Sequence, residues 1–468
     1  MTLQHDLTWR ELELIYRSSI SYQFARYSLC LNYKMLPEDV VHIAKRCLLD
    51  ALGCAIGGYE APGRPICEDV AKELGGPEEA TVIGSGLRTS APNATLVNSF
   101  MVRFLDYNDV GGGGHNSDSI PAILAISEHE KTSGQDFLAS LVISYELGAR
   151  VRESFTGMSM PQRGWTYDLR GGLTLPPALG RLMGLNEDQI ANAIGSCACV
   201  SLPLGILDSN QEENMMMKNM RFGWVAYSAI LSCMLAKKGF TGPVRIVEGN
   251  DGWRQVLLQG DIDMERLVDF SGWRILDTRH KYLCADGIFH GNIYATLAIV
   301  KEQDLKPEDI AAVQIKAHAR AAAHGTTSAR KYPRNAESAN HSIFYLNAIA
   351  IKERAVGPAS IKPEKFTDPV ILDLIEKIKV EADPSISERD EGISEITTKD
   401  GRKFEKRIDV PHGFGNDPLT DKELEEKFGD MAIKHMPDKQ INKIFDTVWN
   451  IEKLDNLSRL MRLMVFPR

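Results

Sequence analysis

The 468-residue chain contains no run of roughly 18 or more consecutive apolar residues, so no stretch of it reads as a membrane-spanning helix. Its opening, MTLQHDLTWRELELIYRSS, lacks the cationic start and apolar centre of a secretory signal. Positive charge is also short: 54 Lys and Arg stand against 63 Asp and Glu, for a net −9. That balance gives no overall basic footprint for nucleic acid, and an anionic ligand would have to be held by a local cationic cluster. There is no CxxC pair. Cys197 and Cys199 have no zinc-type partners nearby, and most of the eight cysteines sit in apolar helical patterns. A reducing, cytoplasmic setting is the expectation. Internal repeats and low-complexity tracts are absent. What remains is an ordinary globular composition, 43% hydrophobic and 25% charged, in a chain long enough for two cores.

The first part reads as successive helices. Pro37 precedes EDVVHIAKRCLLDALGCAIGG, with Val40, Ala44, Cys47, Leu48, Ala51 and Ala55 on one face. Pro92 and Pro121 open two further apolar helices. Asn186 and Gln189 have the spacing of a capping box. Lys237-Lys238-Gly239 gives the cations and then the glycine of a helix end. After about residue 275 the pattern changes. AAVQIKAHA (311–319) alternates like a strand, GISEITTKDGRKFEKRIDV (392–410) reads as a hairpin turning at Asp400-Gly401, and helical stretches fall near 341–354 and 369–378. Helical signals return at Thr420 and Glu423, a second capping box. The expected fold is mostly α: a large all-helical domain formed by both chain ends (1–277 and 418–468), with a smaller α+β lid domain (278–417) inserted.

Three segments carry unusual chemistry. In LDYNDVGGGGHNSD an apolar helix ends in the acids Asp106 and Asp109, followed by a flexible loop of four glycines, Gly111 to Gly114, and then His115, Asn116, Ser117 and Asp118. No strand precedes the glycines and no Gly-Lys-Ser/Thr follows, which argues against a phosphate loop. A mobile surface loop with capping acids is the plain alternative. In RHKYLCADGIFH, Arg279, His280 and Lys281 place three potential cations at the domain junction, and His290 follows; the plain alternative is a solvated basic turn with a core histidine. In MMMKNMRFGW, Lys218 stands in a methionine run with Arg221 close behind. It either meets a buried anion or snorkels over an apolar core.

Taken in order, these segments resemble the MmgE/PrpD family. LLDALGCAIGG, LDYNDVGGGGHNSDSIPAILA, GRLMGLNEDQIANAIG, LAKKGFTGP, HKYLCADGIFHG, ESANHSIFYLNAIAI and FGNDPLTDKELEEKF are all similar to stretches of that family, over nearly the whole chain. The resemblance implies a homodimer with no cofactor, a site in the cleft between the domains, and a lyase that dehydrates or hydrates a 2-methylcitrate-like tricarboxylate in propionate metabolism. Decarboxylation of cis-aconitate, isomerisation of a di- or tricarboxylate, and non-catalytic carboxylate binding stand as alternatives. By the same resemblance Asp106, His115 and Lys281 are candidate catalytic groups, and Lys218 is matched in its lysine position.

Acid–base chemistry on a polycarboxylate needs cations to hold the carboxylates and a group that exchanges protons near neutral pH. Lys218, Lys281 and Arg279 supply the clamp. His115 is the natural proton carrier. Asp106 either orients it and favours its imidazolium or acts as base. Ser117, Arg221 and His290 complete the expected substrate-binding set, and no metal ligands are expected. Members of the family commonly carry Thr at the position of Val110, His near Thr166, and an aromatic hydroxyl at Leu283. Tyr167 is expected to replace the missing histidine, and its absence argues against the decarboxylase.

Overall fold

The computed structural model describes residues 7–111, 114–209 and 212–467. Gly112 and Gly113 of the glycine run, and the first six residues of the opening segment, lie outside these.

The apolar periodicities become helices. We label Glu38–Gly57 α1, Ala91–Phe104 α2, Gly134–Ser154 α3, Gly171–Leu182 α4, Glu187–Val200 α5 and Met217–Lys237 α6. The capping box at Asn186 forms as its spacing predicts: the side chain accepts from Gln189 N–H at 2.9 Å, and Gln189 returns a bond to Asn186 N–H at 3.0 Å. Beyond Lys237, Gly239 takes a φ of +92°, the left-handed end that Lys-Lys-Gly signals. One expectation fails: the first part is not entirely helical. Ala80–Thr81 and Arg88–Thr89 pair antiparallel, because Gly84 and Gly86 take positive φ and fold the chain back on itself.

Later in the chain, α7 (His290–Glu302), α8 (Ile343–Glu353) and α9 (Pro369–Lys377) accompany a four-stranded sheet. Its strands are β1 (Ile310–Ala317), β2 (Ile378–Ala382), β3 (Gly392–Thr398) and β4 (Lys403–Ile408), in the order β2-β1-β3-β4. β1 and β2 are parallel, with Val313 opposite Ile378; the other pairs are antiparallel, with Ile315 opposite Ser394 and Ile396 opposite Phe404. The β3–β4 hairpin turns where expected, with Gly401 at φ +90°. Edge strand β4 shows Lys403, Glu405 and Arg407 to solvent, which discourages pairing with other chains. The chain then returns to helix in α10 (Asp421–Ala432), opened by the Thr420–Glu423 capping box, and α11 (Asp438–Trp449).

Two hydrophobic cores result. One gathers residues from Ile20 to Ile275 together with Leu419 to Met464. The other gathers the sheet and its helices and reaches across to Phe100, Phe104, Leu105 and Tyr107 at the end of α2. The site segments lie along this seam. Among the described residues, no helix is long and apolar enough to cross a membrane.

One buried cation ties the seam together. Lys427 of α10 is 2% exposed. Its ammonium donates to Asp50 Oδ1 of α1 at 2.6 Å and to the carbonyls of Tyr107 and Lys281 at 2.7 Å each. It also lies 3.8 Å from the centre of the Tyr107 ring. Truncation to Ala would strand Asp50 as a buried, unpaired carboxylate. Lys427→Ala should therefore cost about 3–5 kcal/mol in chemical denaturation. The double variant Lys427→Ala/Asp50→Asn should recover part of that loss; equal losses in the single and double variants would show that the pairing contributes nothing.

Candidate active site

Asp106 follows α2 by two residues, is fully buried, and takes a φ of +49°. A non-glycine residue held in that region stores roughly 1–3 kcal/mol of strain, which its surroundings must offset. Here the surroundings are three cations and two histidines. Oδ1 lies 2.6 Å from Lys281 Nζ and 2.7 Å from Arg103 Nη1, and Oδ2 lies 2.9 Å from Lys218 Nζ and 3.3 Å from His341 Nε2. His115 Nε2 is 3.7 Å from Oδ1. Burial alone would raise the Asp106 pKa; Arg103, Lys218 and Lys281 overcome it and hold the carboxyl well below the usual range. Asp106 is thus a permanent anion whose lone pairs are taken. It serves as an anchor for cations and is poorly suited to act as a base.

The two lysines differ. Lys281 uses all three of its N–H groups, on Asp106 Oδ1, the Asp106 carbonyl at 3.0 Å and the Ala285 carbonyl at 2.9 Å. Lys218 is 1% exposed and bonds Asp106 Oδ2 alone among the described residues, so two N–H groups remain for a ligand. It does not snorkel; Met215 and Met216 beside it are the exposed residues. Burial, with Arg103 and Arg221 nearby, brings its pKa down to about 8.

His115 is positioned by its own loop. Gly111 and Gly114 exchange backbone hydrogen bonds of 3.0 and 2.9 Å, and Val110 pairs with Arg279 through backbone bonds of 2.9 and 2.8 Å, pinning the loop to the lysine segment. His115 Nδ1 lies 2.8 Å from the Asp109 carbonyl. A carbonyl only accepts, so Nδ1 carries the proton and Nε2 presents its lone pair toward Asp106 and the cations. Of the two roles the sequence leaves open for Asp106, favouring a His115 imidazolium is one that the neighbouring charges oppose. Burial, Arg103 and Lys281 outweigh the single Asp106 carboxylate and hold the His115 pKa well below its ordinary value. Beneath the loop, Ser117 donates to Asp109 Oδ1 at 2.7 Å and Tyr145 to Asp109 Oδ2 at 2.6 Å, while burial raises Asp109 to about 7. α3 packs closely on this loop at Gly148, where a Cβ would stand 2.5 Å from Asn116 Oδ1.

The structure thus gathers Asp106, His115, Lys218 and Lys281 and leaves other candidates outside this shell. Ser117 belongs to the Asp109 network. Arg221 is buried and paired with Asp168 and, at 2.9 Å, with Asp208. Arg279 is half exposed, and its guanidinium lies 3.1 Å from Asp390. Tyr167 lies beneath Arg152, whose guanidinium is 4.2 Å from the ring centre, and its hydroxyl has no partner among the described residues. His290 is a core histidine stacked on Phe414 at 4.9 Å, and burial next to Lys281 pushes it down to about 3. Two members of the shell, Arg103 and His341, escaped the sequence reading. Arg103 sits three residues before Asp106 in an otherwise apolar helix face. His341 lies in ESANHSIF, a segment that carried the family resemblance. A cavity of about 540 Å³ opens nearby, lined by Phe104, Leu105 and Met216 from one side of the seam and Ala336, Pro363 and Phe366 from the other. Charged residues such as Glu60, Arg334 and Lys362 also line it, and none of the Asp106 shell does.

Comparison with known proteins matches most of the chain. The family description "MmgE/PrpD N-terminal domain" matches residues 22–265, and "MmgE/PrpD C-terminal domain" matches residues 284–451. A protein named cis-aconitate decarboxylase-like protein oryM, from Aspergillus oryzae, is 25% identical, covering 92% of this chain and 94% of its own length. A cis-aconitate decarboxylase of Aspergillus terreus is 22% identical, with coverages of 96% and 97%. A 2-methylcitrate dehydratase of Salmonella typhimurium is 24% identical, with coverages of 91% and 93%.

The shell sets a pH window for ligand binding. His115 faces Arg103, Lys281, Arg221 and Asp106; Lys218 faces Asp106, Arg103, Asp208 and Arg221. His115 stays neutral down to below its ordinary pKa, and Lys218 stays charged up to about pH 8. Affinity for a polyanionic ligand should therefore weaken as pH rises through about 8, while the acid limb of kcat/KM should fall below pH 6.5, the ordinary histidine value. Lys218→Arg should move the alkaline limb upward. An alkaline limb unmoved in that variant would remove Lys218 from the binding event.

Proposed function

Because this chain belongs to the MmgE/PrpD family, we propose that it is a lyase that removes water from, or adds it to, a 2-methylcitrate-like tricarboxylate by acid–base catalysis between its two cores. The observation that carries this reading is the buried shell itself: Arg103, Lys218 and Lys281 around one carboxylate. Local cations of this kind suit a polyanion that the overall −9 would repel.

In the dehydration direction, His115 Nε2 takes the proton from the carbon beside a carboxylate. The C–H electron pair becomes the carbon–carbon double bond, and the hydroxyl leaves as water with a proton from the Lys218 ammonium. Positive charge stands where negative charge develops on the substrate carboxylate, so it requires no rearrangement at the moment of reaction. Lys281, its N–H groups committed, positions Asp106 and through it Lys218. Every step runs on side chains of this chain and none is assigned to a metal or organic cofactor.

A second reading, decarboxylation of a cis-aconitate-like substrate, is favoured by the relatives of that name. There the electron pair of a departing CO₂ takes the place of the C–H pair, and His115 and Lys218 handle the proton that the carbon receives. The homodimer is part of the proposal. Met217, Trp224 and Leu231 recur at seven-residue spacing on α6, and with Met234 and Leu235 they leave an exposed apolar stripe.

Incubation with 2-methylcitrate, cis-aconitate and a dicarboxylate panel in deuterated water separates the readings. A new conjugated alkene reports dehydration, released CO₂ reports decarboxylation, and deuterium uptake alone reports isomerisation. We expect alkene formation or its reversal. His115→Gln should reduce kcat by ~10²–10⁴-fold with the fold intact by circular dichroism; full turnover in that variant would exclude His115 as the base. Trp224→Glu should shift sedimentation from dimer to monomer, and an unshifted dimer would place the interface elsewhere.

A further inference from the structure

Next to the Asp106 shell, four side chains from separate segments face one another. Asp208 closes the turn Gly205–Asp208, Asp286 caps Gly287–Phe289, His324 lies in the helix Ala319–Gly325, and His341 sits just before α8. One potential ligand atom from each of Asp208, His324 and His341 lies within 4.8 Å of the other two. Asp286 Oδ2 lies 3.2 Å from His324 Nε2 and 3.9 Å from His341 Nε2, and His341 Nε2 lies 3.8 Å from Asp208 Oδ1. Donors bound about 2.0–2.2 Å from one divalent ion stand about 3.0–3.6 Å apart, so the Asp208, His324 and His341 donors need to draw together by up to roughly 1 Å on binding.

We propose that Asp208, His324 and His341 form a binding site for a divalent first-row metal ion, with Asp286 beside both histidines as the carboxylate that orients them. Two imidazoles with one carboxylate and open positions suit zinc, manganese or ferrous iron. Each carboxylate is already oriented by a bond on its other oxygen: Arg221 Nη1 holds Asp208 Oδ2 at 2.9 Å, and the Ile288 N–H donates to Asp286 Oδ1 at 3.3 Å. The oxygens left over face the histidines. Asp208 Oδ1 and His341 Nδ1 are buried with no hydrogen-bond partner among the described residues, and His341 is 3% exposed. Burial, aided by Lys218, keeps His341 in the neutral form that a metal requires. His341 Nε2 also lies 3.3 Å from Asp106 Oδ2, so binding places its remaining proton on Nδ1 and brings the ion against the catalytic shell. Two carboxylates match the ion's charge, while nearby Lys218 and Arg221 oppose it, so affinity falls short of that of a structural zinc site. The sequence hides this arrangement: no two of the four residues have a ligand spacing on a common element.

The test is binding to the full chain stripped with EDTA, using zinc chloride and manganese chloride in separate calorimetric titrations. The expected result is one ion per chain with micromolar or tighter Kd for at least one metal, and a raised melting temperature on saturation. His324→Asn and Asp286→Asn, checked for fold by circular dichroism, should each weaken binding at least tenfold. No saturable uptake of either metal by the native chain would overturn the site, as would native affinity in both variants. The readout involves no turnover, so failure of the lyase reading leaves it standing, and its own failure leaves the lyase reading untouched.

Discussion

The structure depends on one buried carboxylate. Asp106 draws Arg103 from α2, Lys218 from the start of α6, and Lys281 and His341 from beyond residue 277 into a volume from which water is excluded. Neither the arginine nor the lysines would be tolerated there alone, because desolvating an ammonium or guanidinium costs several kcal/mol. The anion makes them affordable, and they in turn keep it ionised. The strained φ of Asp106 follows from the same constraint, since the chain must turn sharply after α2 for the carboxylate to reach all of them.

Around that centre the rest of the molecule acts as positioning. Lys427, arriving with the C-terminal helices, holds the carbonyls of Tyr107 and Lys281, the immediate neighbour of the anion and one of its cations. Val110 and Arg279 pair their backbones and lock the histidine loop to the lysine segment. Each element of the site is therefore fixed by a contact from a distant part of the chain. The two cores meet along a seam of polar, fully buried groups, and it is this seam that the chemistry uses.

Charge balance also assigns roles that residue type alone leaves open. Two lysines touch the same carboxylate, yet Lys281 has spent its donors and Lys218 has not. A histidine beside an aspartate is usually read as a cation. With Arg103 and Lys281 closer to the balance than one carboxylate can offset, His115 is instead held neutral, and its tautomer is set by a carbonyl. Arg279 illustrates the opposite case: its position in the lysine segment suggests a clamp, while its side chain reaches Asp390 at the surface.

Local signals were legible in the sequence because they are local in physics. Capping boxes at Asn186 and Thr420, the Gly239 helix end, the alternation before residue 317 and the Asp400-Gly401 turn depend on neighbours within a few residues, and the structure forms them where the sequence places them. The ribbon at 80–89 was missed because its strands are two residues long, too short to show a period. At the site, residue types fixed that Asp106, His115, Lys218 and Lys281 were chemically unusual. Only the tertiary structure decided that they share one shell, that Arg103 and His341 join it, and that Tyr167 and His290 stand apart. The physical reason is that protonation, donor capacity and charge balance depend on distances between groups more than a hundred positions apart in the chain, which periodicity and spacing do not encode.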